Sequence, residues 1–388
     1  MSKTNYKRLG DYIREVDVRN RNLKVTKLLG VSISKEFMPS IANTIGTDMS
    51  SYKVVEPRQF AYGPVTSRNG DKVSIALYKD GEKAIVSQAY TIFEVTNKLE
   101  LLPEYLMMWF RRPEFDRYAR FKSHGSAREI FSWEEMCDVE LPIPPIDQQQ
   151  KIVAEYNAIQ QRIKLNEQLI VKLEETAQAI YRKMFVDGID KNNLPEGWRM
   201  GTLGEIAMVR SGYAFTSNMW RKSGIPVIKI GNIHNQTIIK ENCDCVLTEM
   251  MDIANNYIAQ KGDIVIAMTG ATLGKIAIVP QDGFLVNQRV GIFDLGDNPI
   301  QRNSFLYMLL LQTEVQNEIL TVGGDSAQAN ISSSNIECIK IPIPPTKLVN
   351  SFNTNCSTII NLIILKRQEN KISIKLQSLL LAKMESKI

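Results

Sequence analysis

Leu141-Pro142-Ile143-Pro144-Pro145 returns as Ile341-Pro342-Ile343-Pro344-Pro345, and this interval of 200 residues decides the fold. The same offset holds on both sides of the motif. Upstream, Gln88, Ile92, Phe93, Leu106, Met108 and Ser132 match Gln288, Ile292, Phe293, Leu306, Met308 and Ser332. Downstream, Ile159, Ile163, Leu165, Gln168 and Met184 match Ile359, Ile363, Leu365, Gln368 and Met384. A repeat this long is not a solenoid, whose units run about 20–50 residues. It predicts a pair of whole domains, each followed by a proline-free helix. Such a pair suits a two-part target with approximate two-fold symmetry.

Each domain reads as short strands between turns. Residues 73–77, 84–86 and 91–95 are apolar or β-branched runs in the first copy, and 226–230, 263–268, 275–279 and 290–295 in the second. A helix is expected at about 103–122 and again at about 303–320. Near the domain starts the repeat loosens: Leu9-Gly10-Asp11 resembles Leu203-Gly204-Glu205 at another offset. The fold class is therefore α+β: two β-rich domains, 1–143 and 191–343, separated by long antiparallel helices in 144–190 and 344–388.

In the first long helix Asp147 can cap the start and Gly188 the end. Its apolar positions fall at Ile152, Tyr156, Ile159, Ile163, Ile170, Leu173, Ala177, Ile180 and Met184. This is an unbroken 4-3 seam if Asn166 fills the missing place, and it predicts helix pairing. In the second, Phe352, Cys356, Ile359 and Ile363 keep that phase, whereas Leu365, Glu369, Ile372, Leu376 and Leu379 follow another. An antiparallel closure brings two polar midpoints together, Asn166 and the run Lys366–Lys371. A polar seam residue fixes register at a cost in stability.

The composition leaves several function classes without support. No unbroken apolar run reaches the roughly 18 residues of a membrane span, and the first twenty residues are too charged for a signal-peptide core. The expected location is the cytoplasm. Five cysteines and two histidines, with Cys243-Asp244-Cys245 lacking a knuckle's two-residue gap, do not suit a zinc site. The net charge of +5 is unremarkable, but its distribution is uneven. Residues 1–35 carry nine Lys or Arg against three acids, and 210–240 carry Arg210, Arg221, Lys222, Lys229 and Lys240 with no acid. Such clusters suit phosphate neutralisation or a merely solvated basic face.

At this point the residues resemble one family, the specificity (S) subunit of Type I restriction–modification systems. The duplicated β-rich domain, the Pro-Ile-Pro-Pro motif and the following helix carry the likeness. So do Ser211-Gly212-Tyr213-Ala214-Phe215, Thr269-Gly270-Ala271-Thr272-Leu273-Gly274-Lys275, Asn287-Gln288-Arg289 and Ser326-Ala327-Gln328-Ala329-Asn330-Ile331-Ser332. The first domain departs from these phrases, with Arg128 where the second has Gln328. The resemblance implies a subunit without catalysis or cofactor, whose two domains each read half of an interrupted DNA sequence. It implies assembly on the paired helices with two methyltransferase subunits, and optionally two restriction subunits. The helices expected to pair do so through Ile152, Tyr156, Ile159, Ile163, Asn166, Ile170, Leu173, Phe352, Ile359, Ile363 and Leu376.

Bases are read by Arg, Lys, Asn, Gln, Ser and Thr at groove edges, while other basic groups hold phosphates. The second-domain candidates are Tyr213, Lys229, Asn232, Lys275, Gln288, Arg289 and Gln328; the first-domain candidates are Arg58, Arg68, Gln88, Lys122 and Arg128. Gly270–Lys275 is not a nucleotide cradle, because three residues separate the glycines and Ile276 replaces the magnesium-binding hydroxyl. No Asn-Pro-Pro is present to hold a target amine, and the histidines His124 and His234 lie in different halves. The rival expectation is a coiled-coil adaptor joining two protein-binding domains, without DNA specificity.

Overall fold

The computed structural model describes residues 6–40, 46–67, 69–70, 72–125, 128–234, 236–324 and 330–385. The chain packs as two units, Met1–Ile163 with Ser373–Ile388, and Lys164–Ile372. Each long helix is thus divided between the units near its middle.

In the first unit β1 (Tyr6–Arg8), β2 (Ile13–Val16), β3 (Leu29–Val31), β4 (Phe37–Pro39) and β5 (Lys53–Val55) precede β6 (Phe60–Tyr62), β7 (Ile75–Leu77), β8 (Ala84–Val86) and β9 (Thr91–Val95). Then come α1 (Pro103–Phe110), α2 (Pro113–Phe121), α3 (Trp133–Cys137), β10 (Glu140–Pro142) and α4 (Ile146–Phe185), whose first half belongs here. The central sheet runs β2-β9-β6-β7, all antiparallel, with β1-β10, β3-β4 and β5-β8 as separate pairs. Phe60 and Phe93 stack at 4.8 Å, and α1 and α2 cover that face with Phe110 and Phe115. Leu381 and Met384 complete the same core.

The second unit holds the rest of α4, then β11 (Arg199–Thr202), β12 (Val209–Ser211), β13 (Ile225–Ile228), β14 (Ile233–His234), β15 (Thr237–Ile238) and β16 (Cys245–Val246). There follow α5 (Met250–Ile253), β17 (Ile258–Ala259), β18 (Ile264–Ala267), β19 (Ile276–Ile278), β20 (Phe284–Val286) and β21 (Val290–Phe293). α6 (Asn303–Leu310), α7 (Thr313–Gly323), α8 (Ser333–Glu337), β22 (Lys340–Ile343) and α9 (Thr346–Lys383) end the chain. The sheet β12-β21-β18-β19-β15-β14 repeats the first unit's four-strand order and adds a hairpin. The second pairing differs: β13 runs parallel to β20, whereas β5 runs antiparallel to β8. α1, α2, α3 and α4 start 200 residues before α6, α7, α8 and α9, as the offset requires.

Several expectations change in detail. The helix at 103–122 is two helices, because Pro113 forces Arg112 into an extended conformation (φ −71°, ψ 137°). The second copy breaks at the same place without proline. There the Gln312 and Gln316 side chains donate to the carbonyls of Met308 (2.8 Å) and Leu310 (2.6 Å), which the break would otherwise strand. Asp147 lies inside the first turn of α4 rather than at its cap. Its neighbour Gln149 is fully buried, donating to Glu100 O (2.7 Å) and Pro144 O (2.8 Å) and accepting from Leu102 N (2.9 Å). Asn353 of α9 accepts from Phe305 N at 2.8 Å, so an amide of each long helix holds the start of α1 or α6.

Along α4, Ile152, Ile159, Ile163, Ile170 and Leu173 are half-buried and Tyr156, Asn166 and Ala177 are buried. In the second unit Asn166 donates to Asn370 at 2.9 Å, while Tyr181 and Phe185 pack on Phe352, so the two helices run antiparallel. Phe352 and Ile363 are fully buried and Ile359 packs against the same core. The expected change of phase in α9 does not occur. Leu365, Ile372, Leu376 and Leu379 are 45–62% exposed, so Leu376 is not a pairing residue. The first phase continues through buried Asn370 and Ser373, and polar side chains there hid it. The run Lys366–Lys371 also faces the domain: Arg367 donates to the Gln236 carbonyl (3.1 Å) and Gln368 to the Pro280 carbonyl (2.9 Å). Contrary to expectation, α9 is long and apolar enough to cross a membrane by length and composition. Packing buries Phe352, Cys356, Ile360, Ile363 and Ile364 of it.

Candidate nucleic-acid interface

The sheet register defines two ends in each domain. Tyr62 pairs Thr91 and Val16 pairs Ile92, so the loop after β6, the turn before β9 and the end of β2 share one end. In the second domain Ala267 pairs Val290 and Ser211 pairs Gly291, which gathers the counterpart turns at the same end. That end carries most of the expected residues.

In the second domain a polar groove lies there, with Val209, Met268 and Ile331 at its base and Ser211, Gln288, Arg289, Asn330 and Ser333 on its walls. Ser211 and Ser333 share a hydroxyl–hydroxyl bond of 2.9 Å, and the Arg289 guanidinium reaches Asn330 Oδ1 at 3.5 Å. Ser332 caps α8 by accepting from Asn335 N at 3.1 Å. Gly212 approaches the β20–β21 turn so closely that an added Cβ would lie 2.3 Å from Val286 O. Only glycine permits this contact, which sets Tyr213 against Asn287 and lets Gln288 N donate to Tyr213 O at 2.9 Å. Tyr213 itself is half-buried, edge-on to Phe215 and Tyr257. The Thr269–Lys275 segment is the hairpin turn between β18 and β19, with Gly270 and Gly274 at positive φ; it does not lead from a strand into a helix as a nucleotide cradle does. Thr269 bridges to Asn330, so this turn adjoins the groove, and Lys275 is exposed on it.

Lys229 and Asn232 sit in the turn after β13, and their side chains are engaged. Lys229 lies 3.5 Å over the Trp220 ring and 2.6 Å from Asp244. Asn232 is buried, accepting from Lys229 N (2.8 Å) and donating to Asn242 O (2.7 Å); its amide holds the turn rather than facing outward. In the first domain Gln88 is exposed in the turn before β9, and Arg128 is exposed in the segment that follows α2. Lys122 reaches Glu135 at 3.3 Å, an ion pair that raises its pKa. Arg58 does not join them. It precedes β6 at the far end of the sheet, with φ of 70°, and pairs with Glu104 at 3.2 Å. Arg68 and Gln328 lie outside the described residues. Sequence reasoning did not single out Ser211, Asn330 and Ser333 as contacts. The family-like phrases held the first two, and the serine cap pattern of α8 marked the third. Among the described residues no group of three or more His, Cys, Asp or Glu could hold a metal ion.

The model of the Type I restriction modification DNA specificity domain matches this chain twice, at residues 32–175 and 195–374. The chain belongs to that family. Each match runs from a β-rich domain into the long helix that follows it; the matches end 199 residues apart and start 163 apart. Among proteins of this specificity family, the chain is similar to the MjaVIII specificity subunit of Methanocaldococcus jannaschii, 24% identical over 307 residues, 75% of this chain and 71% of that one. It is also 20% identical over 419 residues to the HindI specificity subunit of Haemophilus influenzae, covering 89% of each. The crystal structure of a Type-I restriction-modification S subunit from M. genitalium has the same fold, with a TM-score of 0.63 at 14% identity over 98% of this chain and 95% of that one.

Proposed function

We propose that this chain is the non-catalytic DNA-reading subunit of a Type I restriction–modification complex and works in the cytoplasm. The domains 1–143 and 191–343 each read one half of a bipartite target, and 144–190 and 344–388 act as the spacer between them. The observation that carries this reading is the repetition itself. Two domains of one strand order gather exposed polar and basic side chains at the same sheet end, and each continues into a long helix. Gln88 and Arg128 serve the first half-site; Tyr213, Lys275, Gln288 and Arg289, with Ser211 and Asn330, serve the second. Arg and Gln suit base edges in the major groove, and the remaining cations suit phosphates.

The helices supply a second surface. In the second unit Leu165, Leu169, Val171, Leu365 and Ile372 are exposed on α4 and α9, away from the buried seam. Apolar stripes of this kind suit docking of two methyltransferase subunits, with two restriction subunits added where the system has them. Half-sites one DNA turn apart are separated by about 34–36 Å, within the reach of helices about 60 Å long.

Exchange of residues 6–140 for the first domain of another family member tests the reading. Genome-wide methylation mapping is expected to show one half-site altered, the other half-site and the spacer retained. Loss of both half-sites together, or a motif unchanged by the exchange, overturns it. A complex that binds cognate and scrambled duplex equally at low salt would favour the adaptor.

A further inference from the structure

α2 and α7 begin 200 residues apart and bury the same positions: Phe115 and Val315, Ala119 and Ile319, Ser123 and Gly323. Their last turns then do something unusual in both copies. Phe121 is 80% exposed, and in the second copy Leu320 and Val322 are 47% and 38% exposed. A single exposed apolar side chain is ordinary. Here exposed apolar side chains fall in the last turn of the corresponding helix in two diverged domains, Leu320 and Val322 flanking Thr321, the counterpart of Phe121, at the sheet end where the polar turns gather.

The anchoring is local and firm. Ser123 donates to Ala119 O at 2.7 Å and accepts from Thr66 Oγ1 at 2.9 Å, so the base of the tip is tied to the loop after β6. Val65 and His124 both bridge to Ile130, closing the segment that carries Arg128. In the second copy Gly323 packs so tightly on the 269–275 turn that an added Cβ would lie 2.5 Å from Leu273 Cδ2. Leu320 sits beside Gly274 of the same turn, 3.6 Å from an added Cβ. Phe121 stands in a basic stretch of chain: Arg120 is paired with Glu129, Lys122 with Glu135 at 3.3 Å, and Arg128 is exposed in the segment that follows. An apolar group with basic side chains in the same stretch of chain matches the duplex, in which phosphates flank an interior of base edges, thymine methyls and base faces.

We propose that Phe121 and Leu320 are apolar base-contacting residues, one for each half-site, and that each determines specificity at one position. This assignment rests on the DNA-reading function above. The ring or the leucine methyls meet a thymine methyl group or the face of a partly unstacked base.

The test uses the full chain assembled with the methyltransferase subunits of its own system, acting on a library with every half-site position varied. F121A is expected to lower discrimination about fivefold at one position of one half-site and to leave the other half-site intact. L320A is expected to do the same in the opposite half-site, and F121L to retain most of the discrimination. If the contact is to a thymine methyl, deoxyuridine at that position weakens the wild type by the same factor and leaves F121A unaffected. If it is to a base face, deoxyuridine changes neither protein, and 2-aminopurine at that step brightens on binding to the wild type but not to F121A. The assignment is overturned by an unchanged motif in both alanine variants, by uniform weakening at every position, or by failure of F121A to assemble while its melting is normal. That last outcome would give the tip to a protein partner. A wild-type complex without any bipartite preference defeats the proposed function itself, which separates the two failures.

Discussion

Burial pushes the Asp263 carboxyl up to about 6, against an ordinary value of 3.8, although Gln260 N donates to it at 2.7 Å. Desolvation is the leading cause and outweighs that hydrogen bond. A carboxyl with a raised folded-state pKa holds its proton more tightly when folded. Its contribution to stability is present below about 4 and is lost as the pH rises through about 6. D263N keeps an acceptor for Gln260 and removes the charge. Thermal denaturation is expected to find the variant more stable at pH 7, by about 3 kcal/mol at most, and equal to the wild type near pH 4. At this scale the sequence was only partly legible. Residue type picked out Gln288 and Arg289, which are exposed, as proposed readers, but it could not reveal that the Asn232 amide is consumed by its own turn. Nor could it tell which end of β6 Arg58 occupies, because a short apolar run fixes neither direction nor neighbours.

The long helices were the most legible elements, since a 4-3 pattern over many turns has one physical reading. The second helix misled because its seam is polar where its outer face is apolar. Asn370 and Ser373 are buried, while Leu376 and Leu379 face outward. The Asn166–Asn370 bond explains the choice: a buried amide pair has one register that satisfies it, whereas a run of leucines has several. N166L alone is expected to lower stability by about 1–3 kcal/mol, because the facing amide loses this bond. The double variant N166L/N370L should recover most of that loss, since both polar groups leave together. Urea denaturation of the two variants beside the wild type decides it, and a stabilising N166L single would contradict the pairing. The break between α6 and α7 was hidden for a similar reason: no proline marks it, and glutamine side chains do the work of the missing backbone bonds.

For the molecule as a whole, repetition at an offset of 200 carried the architecture, because the helix starts keep the interval even where strand pairing has diverged. Insertion of four residues near Asn166, with four more near Asn370 to keep the pair aligned, lengthens the spacer by about 6 Å. Methylation mapping is expected to find the same half-sites about two base pairs farther apart, taking roughly 34–36 Å per DNA turn of 10–10.5 base pairs. An unchanged gap would end the proposal that the helices set the spacing. The division of the chain has a different consequence for biosynthesis. Arg112 is almost wholly buried, stacked 4.1 Å over Trp109 and paired with Glu385 at 2.9 Å, and Leu381 and Met384 fill the core beside it. The segment 164–372 forms a contiguous unit and can mature as soon as it is translated, but the first domain must wait for it to pass. At about 5–20 residues per second that delay is on the order of 10–40 s. During it, an N-terminal module stands on the ribosome with an open apolar socket, a natural client for a chaperone until the last helix arrives.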